Sequence, residues 1–183
     1  MSLEELWALF PIFLVAPKAE WQTLYDDMEI KLADVLSRYR ITRISHIGST
    51  AIKGIYAKDI VDILLEIEPT EDMPSVAASV EMLGFLPMSA ENKRISLNFG
   101  YTPEGFAEAV YHLHIRFAGD NDELYFRDYM NEHPSLAKTY EQLKRKLWKR
   151  FEHDRDGYTN AKGEFIRRWT QVAKREMGLR YRS

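Results

Sequence analysis

Between Pro17 and Tyr39 the apolar side chains Trp21, Leu24, Tyr25, Met28, Leu32, Val35, Leu36 and Tyr39 return every three or four residues, which predicts a long amphipathic helix. Before it, the short apolar run 12–16, ended by Pro17, predicts a first strand. Ile41–His46 and the β-branched, leucine-rich Ile60–Ile67 predict two more, joined by a glycine-containing loop over 47–57. Asp72 is placed to cap a helix that ends near Gly84. Arg94–Phe99 and Val110–Phe117 alternate polar and apolar residues, as half-buried strands do. From Asn121 the spacing is helical again: Leu124–Asn131, then Leu136, Tyr140, Leu143, Leu147 and Phe151, then Phe165, Trp169, Val172 and Ala173. His133-Pro134 and Asp156-Gly157 mark the breaks. No repeat, low-complexity segment or Gly/Ser linker divides the chain, so one domain over 1–183 is expected, with a C-terminal helical layer.

Side chains two apart on a strand share a face. Asp62, Leu64 and Glu66 therefore point one way and Ile63, Leu65 and Ile67 the other. Arg94, Ser96 and Asn98 oppose Ile95, Leu97 and Phe99, and His112, His114 and Arg116 oppose Tyr111, Leu113, Ile115 and Phe117. If these strands are neighbours, one sheet face carries carboxylates, imidazoles and guanidiniums. An ordinary solvated face accounts for Arg94, Ser96 and Asn98. Two histidines at i and i+2 near an aspartate resemble a ligand or acid/base set instead.

A chain of 183 residues with 45% hydrophobic content can bury a full core. It has no cysteine, which excludes disulfides, thiolate metal sites and a Cys nucleophile. The N-terminal apolar patch carries Glu4 and Glu5 where a signal peptide would want Lys or Arg, and it is too short to span a membrane. A cytoplasmic protein with no membrane partner is expected. Net charge is −3 but uneven: residues 138–183 hold fourteen Lys+Arg against six Asp+Glu, leaving eleven against twenty-two in the rest. A basic tail on an acidic body is either a solvated helical face or a surface for phosphates or RNA.

In His46-Ile47-Gly48-Ser49-Thr50, Gly48 lets backbone approach a ligand. The Ser49 and Thr50 hydroxyls can bind phosphate oxygens, and Lys53 and Lys58 follow within ten residues. Neither a Walker A loop nor a dinucleotide fingerprint is present.

Taken together, "HIGSTAIKGIYAKDIVDILLEI", "YHLHIRF", "YFRDYMNEHPSLAKTYEQLKRKL" and "YTNAKGEFI" closely resemble the GrpB family, a branch of the nucleotidyltransferase-fold superfamily, over residues 12–169. The resemblance implies an α/β (α+β) domain, a nucleotidyltransferase-like mixed β-sheet flanked by helices. It implies that Gly48 and Ser49 match the superfamily's triphosphate-binding Gly-Ser pair and Asp62 the second acidic position of its Asp-x-Asp strand. The first acidic position falls on Ile60, and His112 and His114 stand where the third carboxylate would be. Asp62 with His112 and His114 is then the expected metal set, with Asp62 and His114 catalytic. One carboxylate with imidazoles suits Mn²⁺ or Zn²⁺ as well as Mg²⁺. Thr50, Lys58, Arg94, Arg116, Lys144 and Lys162 complete the expected substrate-binding set. Lys144 and Lys162 match lysines of the family helices, whereas Arg127-Asp128 is as readily an internal pair. Lys53 and Asp59 stand where the family usually has proline. Alternation puts Asp59 opposite Asp62, in a rim or salt-bridge role. Tyr140, Trp148, Phe151, Phe165 and Trp169 read as core. The expected activity is transfer of a nucleotidyl group from a nucleoside triphosphate to an unknown acceptor. The alternative is a catalytically reduced nucleotide-binding or regulatory module, with RNA a further candidate partner.

Overall fold

The computed structural model describes residues 9–181; Glu4 and Glu5 lie outside them. Helix α1 (Glu20–Val35) buries Trp21, Tyr25, Met28 and Leu32, one stripe of the predicted apolar face. The run at 12–16 is not a sheet strand: only Val15 pairs, through a single antiparallel bridge to Ala57. Strand β1 (Ile41–Ile47) leads through a 3₁₀ turn (Ser49–Ala51) into β2 (Val61–Ile67). Helix α2 (Met73–Glu81) starts as expected on Asp72, whose carboxylate accepts from the Ser75 N–H at 3.1 Å.

Strands β3 (Leu86–Glu91), β4 (Arg94–Thr102) and β5 (Gly105–Phe117) follow. The period-two pattern gave no sign of β3, because all six of its residues are exposed at the sheet edge. Three helices complete the chain: α3 (Asp122–Glu132), α4 (Pro134–Arg150) and α5 (Arg155–Met177). Pro134 opens α4 as expected. The second break lies slightly earlier than Asp156-Gly157, since Asp154 caps α5 by accepting from the Gly157 N–H at 2.8 Å.

The sheet order is β1-β2-β5-β4-β3, with β2 and β5 parallel and every other pair antiparallel. One face packs Ile63, Leu65, Leu97, Leu113 and Ile115 against Trp21, Leu32 and Val76 of α1 and α2. On the other face Asp62 pairs with His112, Leu64 with His114 and Glu66 with Arg116, while Asn98 and Ser96 pair with His112 and His114. The expected polar face therefore exists, but it is not solvated. Leu64 packs with Ile47 and with Leu124 of α3, and a second apolar cluster of Ile52, Ile55, Phe126, Tyr129, Met130, Tyr140 and Ala173 seats α3 to α5 beside it. Phe165 and Trp169 pack on that cluster, and Tyr140 stacks on Phe165 at 5.3 Å. These three of the expected stripe are core, whereas Trp148 and Phe151 are half-buried outside the cluster.

Candidate active site

Between the polar sheet face and the C-terminal helices lies an open cavity of about 1380 Å³, reached by Gly48, Ser49, Lys58, Asp62, His112 and His114, and by Lys144 and Lys162 from α4 and α5. The loop after β1 folds directly over Asp62. Gly48 has φ +73°, and a Cβ there would lie 2.3 Å from Asp62 Oδ2, so any side chain would collide with the carboxylate. Thr50 also lines the cavity, but its hydroxyl donates to Ile60 O at 3.1 Å and meets His46 Nε2 at 2.9 Å. Thr50 thus braces the turn. Helix α3 holds the same loop from the other side: Arg127 donates to His46 O at 2.8 Å and Asn131 to Ala51 O at 3.0 Å. Arg127 also pairs with Asp128 at 2.8 Å, the internal pair foreseen.

Asp62, His112 and His114 were expected to hold a metal ion. They meet instead in direct contact: Asp62 Oδ1 lies 3.2 Å from His112 Nδ1 and 3.8 Å from His114 Nε2. Among the described residues no group of three or more His, Cys, Asp or Glu side chains is placed to hold a metal. The far nitrogen of each imidazole has a second partner. His112 Nε2 is 2.8 Å from the Tyr101 hydroxyl, and His114 Nδ1 is 3.2 Å from Ser96 Oγ. Burial opposes ionisation of Asp62, but hydrogen bonds and charge from His112 and His114 outweigh it and hold the carboxyl well below its usual range. Burial lowers His112.

The opposite wall is cationic. Lys144 is 1% exposed, and the one acceptor that its ammonium meets is Tyr56 O at 2.5 Å. Lys58 and Lys162 flank the Tyr158 ring at 5.7 and 4.3 Å. Arg155 donates to Phe10 O and Tyr101 Oη. Burial, reinforced by mutual repulsion, lowers Lys58 and Lys144 to about 7 and Lys162 to about 8. These four cations make no ion pair among the described residues, an arrangement that selects for an anion.

Two expected roles change. Arg94 is exposed and forks onto Asp120 at 2.8 and 2.6 Å, and Arg116 is buried against Ile115 O at 3.0 Å; neither lines the cavity. Both stand at the end of the shared face remote from Gly48. Glu66 is a buried brace that accepts from Gly119 N, Asn121 and Arg43. Asp59 binds Lys18 at 2.5 Å and Trp21 at 2.7 Å, consistent with its expected place off the Asp62 face. Much of the basic tail is neutralised, with Lys138 and Arg145 on Glu141, Lys174 on Asp122, and Arg180 on Asp128 and Glu132.

Tyr101 and Arg155 were missed. Strict alternation places Tyr101 with Leu97 and Phe99 on the core face. The register slips between Phe99 and Tyr101, at Gly100 with φ +90°, and this bulge turns Tyr101 to the cavity. Gly100 was the available signal.

Residues 11–172 match the model of the GrpB protein family. The chain is 31% identical to the glutamate-rich protein GrpB of Alkalihalophilus pseudofirmus over 85% of its own length and 91% of that protein's. It is 36% identical to the UPF0157 protein PA4798 of Pseudomonas aeruginosa over 68% of its length, spanning about half (52%) of that longer relative. The crystal structure of the conserved protein GrpB from Enterococcus faecalis superposes with a TM-score of 0.78 at 25% identity, covering 90% of this chain and 99% of that one. The chain belongs to the GrpB family.

Proposed function

We propose that the cavity binds a nucleoside triphosphate and that the protein is a nucleotidyltransferase-fold member that transfers its nucleotidyl group to an acceptor. The observation that carries this reading is the wall of Lys58, Lys144, Lys162 and Arg155 facing Asp62 in a cavity of about 1380 Å³, which Asp122, Glu123 and Asp156 also line. Cations gathered this closely without an ion-pair partner, one of them the buried Lys144, are stabilised by a multiply charged ligand, and phosphate oxygens supply that charge. Gly48 and Ser49 bring backbone and hydroxyl donors to the same space. On this reading the lysines hold the phosphates and offset charge that grows on the leaving pyrophosphate. The side chains form no cage for a metal, so Mg²⁺ or Mn²⁺ enters this reading only as the counter-ion that a nucleoside triphosphate carries in solution.

The test is titration calorimetry with ATP, GTP, CTP and UTP in Mg²⁺ or Mn²⁺, with pyrophosphate release followed in parallel. Binding should weaken at least about tenfold in Lys162→Ala, the loss expected of one charge-assisted contact. Failure of all four nucleotides to bind more tightly than about 1 mM would overturn the reading. Binding without pyrophosphate release would favour a second reading, a nucleotide-binding module. The observation behind that alternative is Ile60, an apolar residue in the cavity wall where a first carboxylate would stand.

A further inference from the structure

We propose that Tyr101 is the nucleophile of this cavity: its phenolic oxygen takes the nucleotidyl group and retains it as a covalent phosphodiester on the protein. The inference rests on the nucleotide-binding reading above. What carries it is a continuous relay, in which Arg155 Nη2 lies 3.1 Å from Tyr101 Oη, Tyr101 Oη 2.8 Å from His112 Nε2, and His112 Nδ1 3.2 Å from Asp62 Oδ1.

Donor counting sets the direction of every bond. A guanidinium only donates, so the Tyr101 oxygen accepts from Arg155; the ionised Asp62 only accepts, so the neutral His112 ring carries its proton on Nδ1 and leaves Nε2 to accept from the Tyr101 hydroxyl. A hydroxyl bonded to an imidazole that a carboxylate orients is the arrangement by which proteins activate a nucleophile. The parts are also held still. The Tyr101 ring stacks over His112 at 5.9 Å and 16°, and packs on Phe10 at 5.0 Å and Phe106 at 5.3 Å. Tyr101 lines the same cavity as the lysines. Burial raises Tyr101, which is why its proton must leave to an adjacent base.

The step balances with the bound nucleotide as the one co-reactant. The Tyr101 oxygen forms a bond to the α-phosphorus as the bond from that phosphorus to the bridging α–β oxygen breaks, and pyrophosphate leaves. The phenolic proton passes to His112 Nε2, Asp62 stabilises the resulting imidazolium, and solvent later takes the proton. Nothing is oxidised or reduced.

The experiment incubates the full chain with each of ATP, GTP, CTP and UTP plus Mn²⁺, reads intact mass, and maps any adduct by peptide sequencing, with calorimetric binding measured on the same samples. The expected result is one nucleotidyl adduct on Tyr101. It should be absent in Tyr101→Phe, which keeps the ring packing, and slower by about 10²–10⁴ in His112→Asn, which keeps a donor toward Asp62 but has no base. Both variants should still bind nucleotide and keep the wild-type melting temperature within a few degrees. An adduct that persists in Tyr101→Phe, or maps to another residue, overturns the proposal. Nucleotide binding by the wild type with no adduct from any of the four also overturns it while leaving the binding site intact, whereas no binding overturns both.

Discussion

Replacing Lys144 by methionine should make the free protein more stable and its ligand binding worse. Lys144 lies 1% exposed inside α4, with Tyr56 O as acceptor and the Tyr140 ring 4.9 Å away. Those partners do not offset its burial, because the ammonium is lowered from 10.5 to about 7, a destabilisation of about 5 kcal/mol if wholly realised. The folded protein then binds fewer protons than the unfolded chain between pH 7 and about 10.5. This cost is fully present below pH 7, and is relieved at up to about 1.4 kcal/mol per pH unit above it. Methionine keeps the apolar stem and removes the charge. Against that gain stand the lost contact to Tyr56 O and the lost cation–π contact, about 1–3 kcal/mol together. The net expectation at pH 7 is about 2 kcal/mol of stabilisation, or roughly 4–8 °C in Tm for a chain of this size. Thermal melts of both proteins at pH 7 and pH 9 check it: the wild type should gain on the variant as pH rises, and nucleotide should raise the Tm of the wild type far more. A variant that melts below the wild type at pH 7, with the same pH profile, would show that the lysine is satisfied by the fold itself.

Other consequences follow from single contacts. Gly48→Ala should cost at least about 2 kcal/mol in urea denaturation and abolish nucleotide binding, because a positive φ and a Cβ 2.3 Å from Asp62 Oδ2 both disfavour it. His46 is buried, stacks on Tyr25 at 5.0 Å, and is lowered by burial to about 4, with Asp62 opposing the shift. The unfolded chain therefore takes up a proton that the folded one refuses, and stability should fall by about 3 kcal/mol as pH drops from 6.5 to 4. Urea midpoints of His46→Gln should lose that part of the acid dependence. Arg94→Ala, which breaks only an exposed pair with Asp120, should change stability by less than about 1 kcal/mol and leave calorimetric nucleotide binding unchanged.

Local periodicity was enough to foresee the order of most elements and the composition of the polar sheet face, because alternation is a property of each strand alone. It also put Asp62 on one face with the His112–His114 pair; the Gly48 loop and Lys58 stood out by residue chemistry, and Lys144 and Lys162 by resemblance to the GrpB family alone. Other features depended on pairing and placement between elements. β3 has no buried face to leave a pattern, and pairing with β4 alone makes it a strand. Arg94 and Arg116 share the right face but stand at its far end, a distinction that alternation does not encode.

What the sequence by itself determined is which side chains share a strand face, since alternation follows from backbone geometry within a few residues. Only the tertiary structure decided that helices α3 to α5 close over that face and dry the lysines. It also decided that a bulge at Gly100 turns Tyr101 to His112 on the neighbouring strand, and that a Cβ at Gly48 would strike Asp62. Register slips arise between paired strands, and burial and the meeting of charges between segments distant in sequence, as Asp62 meets His112 and Lys144 meets Tyr56, where only packing sets the distance.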